Sequence, residues 1–223
     1  MLLAGRDLLF DDPFGFVLLF GAVAAALLIS ISVHEASHAA AALSLGDRTA
    51  KRLGRLTLNP KAHLDPTGTV MLLVAGFGWG KPVPVNVAAL RNGYRSMALV
   101  SFAGPASNVL LALIFAAMFR MGVLDAGGAG ASVGGWLALV VFYSVILNLI
   151  LAVFNLLPIA PLDGSGILRG VVPDAWLPAI KRLENVGPIL LLAIIGLQFL
   201  GFADILGIIF DPAIALAGAL IGA

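Results

Sequence analysis

The chain has 223 residues, of which 61% are hydrophobic and only 11% charged, with a mean hydropathy of +1.06. A soluble domain carries about 25% charged residues, so this composition excludes a water-soluble enzyme, a disordered chain and a disulfide-stapled secreted module. The length predicts a single integral membrane domain over residues 1–223. With no cysteine, thiolate metal ligands and thiol nucleophiles are excluded. A net charge of +1 with no basic tail gives no reason to expect nucleic acid.

A membrane-spanning helix needs about 20 mostly apolar residues. In chain order, the first segment that meets this runs from about Phe14 to Leu45. It is too long for the core of a cleaved leader, and Asp7, Asp11 and Asp12 stand where a leader would be basic. Next comes the most polar stretch, Gly46 to Arg95, interrupted by the apolar Thr67–Gly80. That piece is too short to cross as a helix and predicts a hairpin or a re-entrant loop. Lys81–Asn86, with alternate prolines, reads as an extended edge strand. Two more spans follow, about Ser96–Phe119 and Val133–Leu157. A fourth candidate lies at about Pro188–Phe202, and the tail Ile205–Ala223, broken by Asp211-Pro212, predicts a short or re-entrant helix. The expected fold is therefore an all-α polytopic membrane protein. Three spans form its core, one or two helices follow, and a small β-strand or hairpin element lies between the first two spans.

Lys and Arg concentrate in cytoplasmic loops. Eight of the 13 lie in Gly46–Arg95, and Arg169, Lys181 and Arg182 lie in Ile159–Gly187. Only Arg6 and Arg120 remain. Three crossings match that split with the N-terminus and the Gly122–Gly135 loop outside and both basic stretches inside.

Ionisable groups within a span are costly and by default mark function. The first span carries His34-Glu35-Ala36-Ser37-His38, which is H-E-x-x-H on a helix. Residues i and i+4 share a face, so both imidazoles can bind one metal ion, and Glu35 is placed to act as general base on water there. Phe14 to His34 is about 30 Å of helix, which puts the pair near the cytoplasmic end of the span. A catalytic zinc site usually has three protein ligands. The residues leave two candidates for the third. One is His63, in the basic loop. The other is Asp163, which follows the third span behind Pro158 and Pro161 and could instead be a helix N-cap.

The H-E-A-S-H helix together with Asn155–Gly164, N-L-L-P-I-A-P-L-D-G, resembles the site-2 protease family of intramembrane zinc metalloproteases. Between them, Gly54–Thr69 (G-R-L-T-L-N-P-K-A-H-L-D-P-T-G-T), Lys81–Asn86 (K-P-V-P-V-N) and Ala103–Asn108 (A-G-P-A-S-N) are similar to further motifs of that family. The resemblance implies a catalytic core over about residues 14–168 and one Zn2+ per chain, held by His34, His38 and Asp163. Glu35 is then the catalytic base, and Asn155 positions substrate or stabilises the oxyanion. Asn108 is a candidate for a polar role in the core, or simply an interhelical hydrogen bond. The backbone of Val83 and Val85 would receive an unwound substrate by strand addition, and His63 stays a structural loop residue. The implied activity is hydrolysis of peptide bonds in or near transmembrane segments, with a transmembrane protein as substrate and the bilayer as surroundings; the sequence departs from larger members of the family in showing no inserted PDZ-type domain. Two rivals are a divalent-metal transporter and an inactive homologue that only binds membrane proteins. The intact His34, Glu35, His38 and Asp163 set argues against the second. Two imidazoles and a carboxylate suit zinc best while also admitting iron or cobalt. Oligomeric state and substrate identity are not legible.

Overall fold

The computed structural model describes residues 10–75, 78–123, 133–202 and 204–222. The N-terminal residues 1–9 and most of the Gly-rich loop expected outside the membrane lie beyond them. Helix α1 spans Pro13–Ser44. Asp12 caps it by accepting from the Gly15 N–H at 2.9 Å, and Pro13 stands in the first turn, where its missing N–H costs nothing. A short helix α2 follows at Thr49–Arg52, then α3 at Pro66–Ala75. The other two long apolar helices are α4 at Gly93–Arg120 and α5 at Val133–Leu156. After a break come α6 (Asp163–Val171), α7 (Leu177–Phe199) and α8 (Ile205–Ile221).

Helices α1, α4 and α5 are long and apolar enough to cross a membrane. They pack on one another, with α4 also touching α6 and α8. Their contacts are made largely by small residues. Ala112 and Ala116 of α4, Val145 and Leu149 of α5, and Ala213 and Ala217 of α8 form one buried cluster. Lipid tails are as apolar as leucine, so close backbone approach rather than burial from water drives such packing. Glycines do the same for α6. A Cβ at Gly170 would collide with Tyr94 and Ala98, and one at Gly166 with Ser101, so α6 lies directly on α4. Arg169 then ties α6 to its neighbours. It pairs with Glu184 of α7 at 3.0 Å, donates to the Tyr94 hydroxyl at 2.7 Å and stacks over the Tyr94 ring. Arg120, at the end of α4, donates to the Ala219 and Leu220 carbonyls, two of the carbonyls that α8 leaves open at its C-terminus.

The expected β element is absent. Among the described residues there is no strand, and the one isolated bridge joins Leu64 to Gly80. Thr67–Gly80 begins instead as helix α3. Lys81–Asn86 is extended, but few of its amides are left for a partner strand, Lys81 N–H donating to the His63 carbonyl at 2.7 Å. Pro82 and Pro84 have none, Val83 N–H donates to Glu35 at 3.1 Å, and Asn86 N–H donates to Asp47 at 2.7 Å. A ladder needs a regular series of backbone donors, and here the proline spacing and two side chains have removed most of them. Two further differences lie in the C-terminal part. Helix α7 starts well before Pro188 and holds it internally, and α8 continues through Asp211 and Pro212 as one helix. Packing of Ala213 and Ala217 keeps α8 in place across the proline.

Asp47 holds the extended segment to the end of α1. It is 1% exposed and accepts from the Thr49 amide, the Thr49 hydroxyl and the Asn86 amide. Burial pushes its carboxyl up, but these donors, with the nearby Arg52 charge, outweigh it and hold it below the ordinary carboxylate range. A carboxyl lowered in the folded state stabilises the fold above its unfolded value of about 3.9 and loses that contribution as pH falls through the folded value. Asp47→Ala is therefore expected to cost about 2 kcal/mol at pH 7, roughly 4–8 °C in melting temperature. The gap from wild type should close below the ordinary carboxylate range, as read by thermal unfolding in detergent across pH.

Candidate metal centre

His34 and His38 sit one turn apart on α1, both 7% exposed and both facing α4. They can approach it because Gly104 offers no side chain: a Cβ there would collide with both imidazoles. Pro105, next in the chain, lacks the N–H that Ser101's carbonyl would have received and loosens the helix at this turn. The His38 Nδ1–H donates to the Val100 carbonyl at 2.7 Å. The carbonyl can only accept, so His38 carries its proton on Nδ1 and keeps the Nε2 lone pair free. The His34 Nδ1–H donates to the Asn108 carboxamide oxygen at 2.5 Å, leaving its Nε2 in the same state.

Asp163 arrives from the other side of the bundle. Pro158 and Pro161 end α5 and turn the chain, and Asp163 is the first residue of α6. Leu162 occupies the N-cap position and Asp163 makes no side-chain cap, so its carboxylate is free to face the histidines. Gly164 packs where a Cβ would strike the Leu156 and Leu157 carbonyls, so the turn folds back against the end of α5. The three atoms converge. The two Nε2 atoms are 3.0 Å apart, and Asp163 Oδ2 lies 3.1 Å and 3.2 Å from them.

With both Nδ1 protons committed elsewhere, these are three lone-pair atoms with no hydrogen among them. Asp163 Oδ2 is buried without a hydrogen-bond donor. Such an arrangement is repulsive unless a cation fills it. Two imidazoles and a carboxylate are a zinc donor set, and tetrahedral bonds of 2.0–2.1 Å separate ligand atoms by about 3.3 Å, slightly more than the distances here. His34, His38 and Asp163 also form the group of the described residues able to hold a metal ion.

Glu35 is half-buried beside them, with Oε2 accepting from Val83 N–H. Asn155 is on the last turn of α5, its amide donating to the Leu151 carbonyl at 2.9 Å. Val85 lies half-buried in the same extended segment as Val83. His63 is fully buried in the loop, where its Nε2–H donates to the Thr57 carbonyl at 2.8 Å, and it is outside the metal group. Buried Arg55 fastens that loop by donating to the carbonyls of Ala62 and Lys81. Reading the sequence alone misses Ser30, Ser144 and Asn148, which lie behind His34 and are all 0% exposed. Their one signal is Asn148 itself, a carboxamide in the middle of an apolar span.

Comparison with known proteins gives the family of the chain. The family model for Peptidase family M50 matches residues 121–195. "Putative zinc metalloprotease YwhC" of Bacillus subtilis is 43% identical over 170 residues, covering 75% of this chain and 77% of that protein. "Putative zinc metalloprotease Rip2" of Mycolicibacterium smegmatis is 33% identical over 163 residues, and Rip2 of Mycobacterium tuberculosis 35% over 164. The matched region spans 60% of the length of each Rip2 protein. No solved structure matches. The chain belongs to the site-2 protease family, Peptidase family M50, whose metal is zinc, and it is a multi-pass membrane protein.

Gly104→Val should fill the space that both imidazoles need. Bound zinc per purified chain, measured by elemental analysis, is expected to fall at least tenfold, while helicity by circular dichroism stays near wild type.

Proposed function

We propose that this protein is an intramembrane zinc metalloendopeptidase that cuts peptide bonds in or near transmembrane segments of other membrane proteins. The observation that carries this reading is the meeting of Glu35 with a three-ligand metal group at one end of a membrane-spanning helix. In this reading His34, His38 and Asp163 would hold the metal. Zinc held there supplies Lewis acidity toward the scissile carbonyl and makes water acidic enough to be deprotonated near pH 7.

Glu35 takes the proton from the attacking water and returns it to the leaving amine. Its carboxylate is oriented for this by the Val83 amide on Oε2, which leaves Oε1 for the proton. Asn155, beside the break that leads to Asp163, contributes its carboxamide oxygen or a rotated amide to substrate. The extended segment holding Val83 and Val85 runs beside Glu35. A helical substrate has its backbone bonds closed, so it must unwind before its carbonyl can reach this group, and segments rich in helix-weakening residues are the favoured substrates. Strong clustering of Lys and Arg in residues 46–95 supports an N-terminus outside and a site near the cytoplasmic face.

The test is a detergent or liposome assay with an epitope-tagged single-span substrate. Wild type is expected to cleave and to lose cleavage on chelation, with zinc restoring it. Glu35→Gln should reduce cleavage by about 10²–10⁴-fold with zinc still near one per chain, and Asp163→Ala should lose the zinc as well. Equal cleavage by wild type and Glu35→Gln would overturn the assignment.

A further inference from the structure

The two imidazoles obtain their proton arrangement by different means. His38 donates to a backbone carbonyl, which cannot present a donor instead. His34 faces a carboxamide, and an amide can present either end. If Asn108 turned its NH2 toward His34, Nδ1 would have to accept, the proton would move to Nε2, and the lone pair aimed at the metal position would be lost.

What prevents this is a buried chain of hydrogen bonds running through α1, α4 and α5. The Asn108 amide donates to Asn148 Oδ1 at 2.6 Å and to the Ser30 carbonyl at 3.3 Å. Asn148 in turn donates to the Ser144 carbonyl at 2.7 Å and to the Ser30 hydroxyl at 2.8 Å. That hydroxyl already donates to the Ala26 carbonyl, so toward Asn148 it can only accept. Away from His34 each branch of the chain thus ends on an acceptor, and the polarity of both amides follows from it. Asn108, Asn148 and Ser30 are all 0% exposed, so no water can stand in for a lost partner.

We infer that Asn148, which does not touch the metal position, is a positioning residue. By receiving the Asn108 amide it keeps the Asn108 oxygen on His34 and so holds the His34 Nε2 lone pair ready for zinc. This rests on the reading of His34 as a zinc ligand. A carboxamide that merely glued helices together would serve the fold without steering the imidazole.

The test is a zinc-affinity cycle on the full chain in detergent, by competition with a chelator, alongside 15N-histidine NMR of the zinc-free protein. Asn148→Leu is expected to weaken zinc about 10–100-fold and to give His34 a mixture of Nδ1–H and Nε2–H forms. Asn108→Asp, as the carboxylate, has no donor end to present. The pair Asn108→Asp/Asn148→Leu is therefore expected to bind zinc as tightly as Asn108→Asp alone and to show only the Nδ1–H form. Should Asn148→Leu fail to fold, Asn148→Ala decides by the same NMR of the zinc-free protein: a mixture of His34 forms is expected, and the Nδ1–H form alone would overturn the inference. Wild-type affinity in Asn148→Leu, or a double variant no better than Asn148→Leu, would overturn the inference. If wild type itself binds no zinc, the ligand reading fails separately, and the NMR of the zinc-free protein still decides the role of Asn148.

Discussion

Three lone pairs are held pointing at one another within a bundle of apolar helices, and most of the surrounding structure answers to that constraint. In water such groups would turn away or take up protons. Inside a low-dielectric slab every polar atom needs a partner, and the arrangement persists because each Nδ1 proton already has an acceptor. One is a backbone carbonyl, Val100, beside the loosened turn at Pro105. The other is Asn108, backed by Asn148 and Ser30. The remaining atoms have no donor among them and are left for a cation.

Helix α4 is consequently more than a neighbour of the helix that carries His34 and His38. Gly104 admits the imidazoles, Val100 and Asn108 set their tautomers, and Ser101, Ala98 and Tyr94 form the bed on which α6 brings Asp163. Small residues at these positions allow the close approach, and the hydrogen bonds across the helices add specificity of register. Interhelical bonds of this kind contribute only about 0.6–2 kcal/mol each. Their larger effect here is orientation, because an imidazole with the wrong tautomer cannot serve as a ligand at all.

The loop between the first two spans is the other part built around the site. Arg55 holds Ala62 and Lys81 carbonyls, His63 closes on Thr57, and Asp47 anchors Asn86. Between these points the chain is drawn across Glu35, and the one amide between Pro82 and Pro84 lands on its carboxylate. The same prolines that make the segment extended deprive it of the donors needed for a strand. Extended conformation and strand pairing are separate properties, and the first was legible from Lys81–Asn86 while the second required knowing where Val83 and Asn86 would donate.

Much of the protein was readable from one dimension. Composition placed the chain in a membrane, periodicity put His34 and His38 on one face, and the three long helices begin and end within a few residues of where apolar runs begin and end. These are local properties, governed by 3.6 residues per turn and by the thickness of the bilayer. The choice between His63 and Asp163 could not be made locally, because both are plausible ligands by type. Only the packing of α6 on α4 brings Asp163 to the histidines, and only the loop's closure on Thr57 takes His63 away. The role of Asn148 was equally hidden, since a carboxamide in an apolar run has no partner until three helices meet around it. Helical period and hydropathy are carried by neighbours in the chain, but the direction of a hydrogen bond is decided by atoms dozens of residues away, and that information exists only in the folded bundle.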